Sequence, residues 1–301
     1  MNVTGMIRNW LMVQCRTKDV ALVLSGGGAR GYAHIGAIEV LQERGYHITS
    51  VAGTSMGAMV GGLFAAGKLN EMKEQVLRYS KKDFLSLMDV ALGLDHVASG
   101  AKLMALLNDM IGDRLIDQLP VDFCCCATDV MSGEEKVFRD GLLKTAIRAS
   151  ISIPCFFKPV NEGNHIYVDG SVHNTLPLDR VIRHKGDSLV AVNACAPDDE
   201  LFAAYRKSCS SSDDTEKTVF RKLPFLKWKF SENYMNMAMR VARLTIQNNT
   251  QMALRLTPPD ICANIPMSSF SLFDFDKGAE IIQYGRDEMS RKLDAFERGR
   301  G

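Results

Sequence analysis

One serine stands between two glycines in Gly53-Thr54-Ser55-Met56-Gly57, with the strand-like "HITSVA" before it and the helix-like "GAMVGGLFAAG" after. A strand-to-helix turn of the form G-x-S-x-G is the context in which a serine hydroxyl is lifted off a sheet as a nucleophile. Gly53 and Gly57 fit such a turn because side chains beside a sharp elbow would collide. The helix that follows presents free backbone N–H groups and a dipole that favour negative charge at the serine. The competing assignment is a serine that only caps a helix.

Upstream, Gly26-Gly27-Gly28-Ala29-Arg30-Gly31 also lies between a strand-like and a helix-like stretch. It lacks the Lys-Ser/Thr pair of a phosphate-binding P-loop, and it does not fit a dinucleotide fingerprint with its downstream acid. Consecutive glycines can turn backbone N–H groups toward a developing alkoxide, so the loop is a candidate oxyanion hole. Arg30 would hold the loop's shape or neutralise a phosphate; a plain tight loop is the alternative.

A serine becomes nucleophilic only when a neighbour takes its proton. The histidines are His34, His47, His96, His165, His173 and His184, and residues 185–301 contain none. That leaves His173 and His184 as formal bases in α/β-hydrolase order. The other candidate is Asp169 in "YVDGSVHNTLP", where a strand runs into a glycine. Residue chemistry alone weighs a base there equally with a turn aspartate.

These groups need a scaffold, and the pattern around them supplies one. "DVALVL", glycine loop, helix, "HITSVAG", helix is the alternation of a parallel sheet with packed helices. Residues 68–120 are expected to be mostly helical. "VDFCCCATDV", "EEKVFRD" and "SLVAVNA" read as strands, "NEGNHIYVDGS" as a turn and a strand, and "GLLKTAIRASISIP" as a helix. A methionine-rich helix and a closing amphipathic one follow in 231–298. Cys124, Cys125 and Cys126 read as small buried hydrophobes. None of the eight cysteines forms a C-x-x-C pair, which disfavours a zinc or redox site and suits a reducing compartment.

With 36 basic and 35 acidic residues the chain has no global field for nucleic acid. A local patch stands out instead. Lys217, Arg221, Lys222, Lys227 and Lys229 alternate with Phe220, Phe225, Trp228 and Phe230, without an acid between them. Cations interleaved with aromatic anchors suit an anionic lipid surface; an ordinary segment that packs its aromatics inward is the alternative. No run reaches membrane-spanning length, and residues 1–18 are expected to be an N-terminal extension without a signal-peptide pattern.

Taken together, "GGGARG" (26–31), "GTSMG" (53–57) and "DGS" (169–171) resemble the patatin-like phospholipase family. "ATDVMSGE", "RASISIP", "DGSVHNTLPLD" and "FDFDKGAEIIQYG" look like segments of the same family, so the resemblance covers about residues 19–290. It implies a three-layer α/β/α sandwich with a mostly parallel sheet; the composition change after Ala196 adds an expected insertion at about 205–230, and a tail is expected from 291. The resemblance also implies a Ser55–Asp169 dyad without histidine, an oxyanion hole of Gly27, Gly28 and neighbouring N–H groups including Met56, and no metal or other cofactor. The expected substrate is a lipid ester, met in the cytoplasm at the periphery of a membrane. Ser171 departs from the family's Gly or Ala beside the base. A Ser–His esterase or acyltransferase, and a catalytically silent lipid-binding protein of the same fold, are the rival readings.

Overall fold

The computed structural model describes residues 18–80, 82, 83, 86, 99–154, 156–197 and 232–299. Phe220, Arg221, Lys222, Lys227, Trp228 and Lys229, with the whole expected insertion, lie outside those residues, as do His96, Cys15, Cys155 and Cys209.

Eight strands form one sheet: β1 (Asp19–Leu24), β2 (His47–Thr54), β3 (Asp122–Asp129), β4 (Glu134–Phe138), β5 (Val160–Glu162), β6 (His165–Asp169), β7 (Ser188–Ala196) and β8 (Ile261–Pro266). Their order is β5-β6-β3-β2-β1-β7-β8, with β4 paired to β3. The pairs from β3 through β8 are parallel, while β4, β5 and β6 join antiparallel. Val20, Leu22 and Leu24 face one side of β1 and Ala21 and Val23 the other, and all are fully buried. A strand covered on both faces needs such an unbroken apolar run. Cys124, Cys125 and Cys126 are buried within β3 for the same reason.

Among the described residues seven α-helices flank the sheet: α1 (Ala33–Glu43), α2 (Met56–Ala65), α3 (Leu69–Arg78), α4 (Ala101–Ile111), α5 (Leu143–Ser150), α6 (Glu232–Leu256) and α7 (Gly278–Arg298). The larger core lies on one face of the sheet, where Ile35, Ile38, Leu63, Ile147, Ile281 and Met289 meet Leu22 and Leu24. On the opposite face Ala21, Val23 and Leu189 pack with Leu176 and Leu178, against Ala253 and Leu254 of α6. This is a three-layer α/β/α arrangement.

Three details differ from expectation. The strand β8 was not anticipated, although "ICANIP" alternates buried and half-buried residues over its first four positions. The short β5 was not anticipated either. The closing helix reaches Arg298 as expected and buries Leu293, so only the boundary of the tail differs. The stretch expected as a tail from 291 is therefore largely helix, because its apolar periodicity carries on. Among the described residues, no helix is long and apolar enough to cross a membrane.

The pairing of β3 decides where the candidate site forms. Strand β4 lies along Cys125 to Asp129, and β2 lies opposite Asp122 to Cys126, so these two occupy different edges of β3. Strand β6 pairs with Ala127, Thr128 and Asp129, which β4 also covers, so β6 shares the edge used by β2. Thr54 stands opposite Cys126 and Asp169 opposite Ala127. Two strands running in opposite directions thus end against successive residues of one edge.

Candidate active site

Ser55 occupies the turn between β2 and α2 with φ 54 and ψ −121. It is the one non-glycine residue with positive φ among those described. Such a conformation costs on the order of 1–3 kcal/mol and persists where the surroundings enforce it. Here the enforcement is specific. A Cβ on Gly57 would run into the Leu24 carbonyl, and one on Gly53 into the backbone of Gly57. The Ser55 N–H donates to Ser150 Oγ at 2.9 Å, and that hydroxyl donates to the Cys126 carbonyl at 2.6 Å. Met59 N–H then closes the first helical turn onto the Ser55 carbonyl at 3.1 Å.

The side chain of Ser55 donates to Asp169 Oδ2 at 2.5 Å. The other carboxylate oxygen accepts the Ser171 N–H at 2.8 Å. The Asp169 backbone is fixed through its N–H to the Ser152 carbonyl at 2.9 Å and through Thr128 Oγ1, which donates to its carbonyl at 3.2 Å. Asp169 is 4% exposed. Burial raises its pKa above the usual carboxylate value, and hydrogen bonds from Ser55 and Ser171 partly oppose that rise.

Neither candidate histidine joins this pair. His173 is exposed and its backbone N–H turns back to the Gly170 carbonyl. His184 is also exposed and its Nε2 lies 2.9 Å from Asp122 Oδ2. His165 pairs with Asp129 at 2.7 Å, and the buried His34 meets the Ser25 carbonyl at 2.8 Å.

The glycine loop lies beside the pair, with Gly26 packed against Ser55 and Ser171. Its members are not equivalent. The Gly26 N–H donates to the Thr175 carbonyl and the Ala29 N–H to the Leu272 carbonyl, each at 3.0 Å. Gly28 adopts φ 56 and borders the same cleft as Ser55. Arg30 is buried, and it donates to the carbonyls of Ala194 at 2.9 Å and Phe270 at 3.0 Å. The guanidinium therefore braces the loop against β7 and the segment before α7. Gly31 packs onto Met56 and His34.

Sequence reasoning missed the cleft. A cavity of about 870 Å³, counted with its open mouth, begins at Ser55, Met56 and Gly28. Met59 and Leu63 of α2, Met72 and Val76 of α3, and Leu103, Leu106, Leu107 and Met110 of α4 form its walls. Ile151, Ile153, Phe157 and Phe275 also line it, and among the described residues Gln75, Tyr32 and Tyr79 bring polar side chains besides Ser55. The i, i+3, i+4, i+7 spacing of Leu103, Leu106, Leu107 and Met110 was readable as an amphipathic face. Its use as a cavity wall needed the packing of three helices. Ser150 was missed too: it lies in "RASISIP", but its partners come from the elbow after β2 and from β3.

A strained serine elbow, a carboxylate on its hydroxyl, a glycine loop and an apolar cleft define an α/β/α protein built around a buried serine. The chain belongs to the patatin-like phospholipase family, whose profile matches residues 22–182. An uncharacterized NTE family protein of Mycobacterium tuberculosis is 39% identical over 174 residues, which cover 58% of this chain and 48% of that relative. Neuropathy target esterase sws of Drosophila melanogaster is 30% identical over 193 residues, covering 62% of this chain and 14% of that protein. The match thus spans less than half the length of these curated relatives. Among solved structures, VipD from Legionella pneumophila aligns over 93% of this chain and 67% of its own, at 15% identity and a TM-score of 0.47.

Proposed function

We propose that this protein hydrolyses acyl ester bonds of phospholipids or related lipids, with Ser55 as nucleophile and Asp169 as general base. One observation carries the reading: the hydroxyl held 2.5 Å from a buried carboxylate opens onto an almost wholly apolar cleft. A cavity of that kind accepts a hydrocarbon chain, and the carbonyl at its end would lie at the serine. Membership of a phospholipase family supports the same substrate class.

In the first step Ser55 Oγ bonds to the ester carbon while its proton passes to Asp169 Oδ2. The carbonyl oxygen becomes an oxyanion, for which we assign the N–H groups of Gly27 and Gly28, with Met56 from the start of α2. Collapse of this intermediate breaks the ester C–O bond, and the departing alcohol takes the proton from Asp169. A water then gives its proton to Asp169 and its oxygen to the acyl carbon. Release of the fatty acid returns a proton to Ser55. An aspartate is a weak base at its ordinary pKa near ~3.9; a pKa raised by burial makes Asp169 a better acceptor. Residues 217–230, with their cations and aromatic groups, would meet the lipid surface that holds the substrate.

The test is fatty-acid release from p-nitrophenyl esters and phosphatidylcholine by wild type, Ser55→Ala, Asp169→Asn and His173→Ala. The first two variants should be inactive and the last unimpaired. Full activity of Asp169→Asn would end the dyad assignment. A wild type inactive on every ester would favour a silent lipid-binding protein.

A further inference from the structure

The C-terminal half of α6 packs on the sheet, whereas Met237, Val241 and Leu244 of its N-terminal half are exposed. Ala253 and Leu254 pack with Ala21 and Leu189, near the start of the parallel strands, and the Asp260 N–H donates to the Leu189 carbonyl at 2.8 Å. Asn249 has already reached the other end, where its Nδ2 donates to the Val172 carbonyl at 3.2 Å, three residues beyond Asp169. From Asn249 back to Glu232 the helix continues for about 25 Å at ordinary helical rise, past the edge of the sheet where Ser55 sits.

This projecting half exposes apolar side chains. Met237 is 60% exposed, Val241 54% and Leu244 58%, and the i, i+4, i+7 spacing places them on one face. Val172 and, on the turn after β3, Val130 and Met131 are also exposed large hydrophobics at this end of the sheet. Charge adds a second observation. After Glu232, α6 contains no acidic residue and three arginines, Arg240, Arg243 and Arg255. The sequence from Lys217 through Leu256 carries eight basic residues and a single acid.

We propose that the exposed face of the N-terminal half of α6 is a docking surface for an anionic lipid bilayer, seating the catalytic end of the sheet against the membrane. An apolar stripe on a half-helix whose charged residues after Glu232 are the two arginines Arg240 and Arg243 fits the boundary between head groups and acyl chains. A second copy of the chain fits less well. Three apolar positions over two turns fall short of the three or four heptads that a coiled pair needs, and arginines on both helices would repel. The proposal deepens the lipid-ester reading, because the dock lies at the end of the sheet where that substrate must arrive.

The experiment compares wild type with Val241→Gln/Leu244→Gln by co-sedimentation on phosphatidylcholine vesicles, with and without phosphatidylglycerol. Wild type should pellet with the anionic vesicles, and the double variant should bind them at least tenfold more weakly. Both should share the same far-UV circular dichroism and the same hydrolysis of p-nitrophenyl butyrate, a soluble ester that needs no surface. Equal vesicle binding by the two proteins overturns the proposal, as does a wild type that pellets with neither vesicle. So does a change in oligomeric state, read by light scattering, without a change in vesicle binding; that result would assign the face to a second copy. Wild type that binds vesicles through this face yet cleaves no ester would retire the enzymatic reading and leave the dock in place.

Discussion

The hydroxyl of Ser150 holds the backbone of Ser55: it accepts a hydrogen bond from the Ser55 N–H at 2.9 Å and donates one to the Cys126 carbonyl at 2.6 Å. Three elements meet in that hydroxyl, the end of α5, the elbow and β3. Its removal leaves a buried N–H without an acceptor, a cost of about 1–3 kcal/mol. Ser150→Ala is therefore expected to lose stability of that order in urea unfolding. The elbow it pins is also strained, and small displacements of a nucleophile are costly in rate. We expect kcat to fall at least about tenfold with KM nearly unchanged, the signature of an interaction that serves the transition state. Stability lost with kcat intact would make Ser150 structural only.

Asp169→Asn is expected to trade activity for stability. Burial raises the folded pKa of Asp169 above its ordinary 3.8, so the folded state holds that proton more tightly than the unfolded state does. The stability this lends is fully present below pH 3.8 and is lost as pH rises through the folded value. At neutral pH the ionised carboxylate is thus a net cost. The amide keeps an oxygen for the Ser171 N–H and removes the charge. The variant should melt at a higher temperature than wild type at pH 7, and the difference should close toward pH 4. Its turnover should fall by about 10³-fold or more, by analogy with other disabled serine–base pairs. An equal or lower melting temperature at pH 7 would show that the carboxylate is not a burden.

His34 predicts the opposite pH trend. It is fully buried beneath the glycine loop, where its Nε2 donates to the Ser25 carbonyl and its Nδ1 has no hydrogen-bond partner. Burial lowers its pKa from 6.5 to about 4, against the smaller effect of the Ser25 hydrogen bond. Between those values the unfolded chain takes a proton that the folded chain refuses. Stability is whole above pH 6.5 and declines as pH falls to 4, by about 3 kcal/mol in all. A series of urea titrations should reveal that slope in wild type, and His34→Gln should flatten it. A slope that survives in the variant would assign the acid sensitivity elsewhere.

The elbow was legible because its signal is local. Gly53, Ser55 and Gly57 lie within five residues, and their flanks announce a strand and a helix. The carboxylate was half legible: "VDGS" marks a strand end, but residue chemistry could not choose between Asp169 and a histidine. That choice depends on β6 sharing an edge of β3 with β2, a pairing between residues 114 positions apart. Within "GGGARG" the pattern could not separate Gly26 and Ala29, whose N–H groups bond to Thr175 and Leu272, from Gly27 and Gly28. Arg30 was expected either to shape the loop or to meet a phosphate, and its bonds to Ala194 and Phe270 favour the first role. The cleft was illegible because no single helix contains it.

The cleft's own prediction concerns chain length. Leu106 is a half-buried wall residue on α4, separated in sequence from the elbow and without a part in the proposed chemistry. Leu106→Trp adds a bulky ring to a space where a long hydrocarbon would lie, while a short acyl group would still reach Ser55. Each methylene excluded from an apolar pocket costs about 0.8 kcal/mol of burial. Losing two or three should lower kcat/KM for a palmitoyl ester by about fifteen- to sixtyfold, while a butyryl ester is cleaved as by wild type. The measurement is a series of p-nitrophenyl esters from four to sixteen carbons. A profile parallel to that of wild type at every length would mean that the acyl chain lies elsewhere than between α2, α3 and α4.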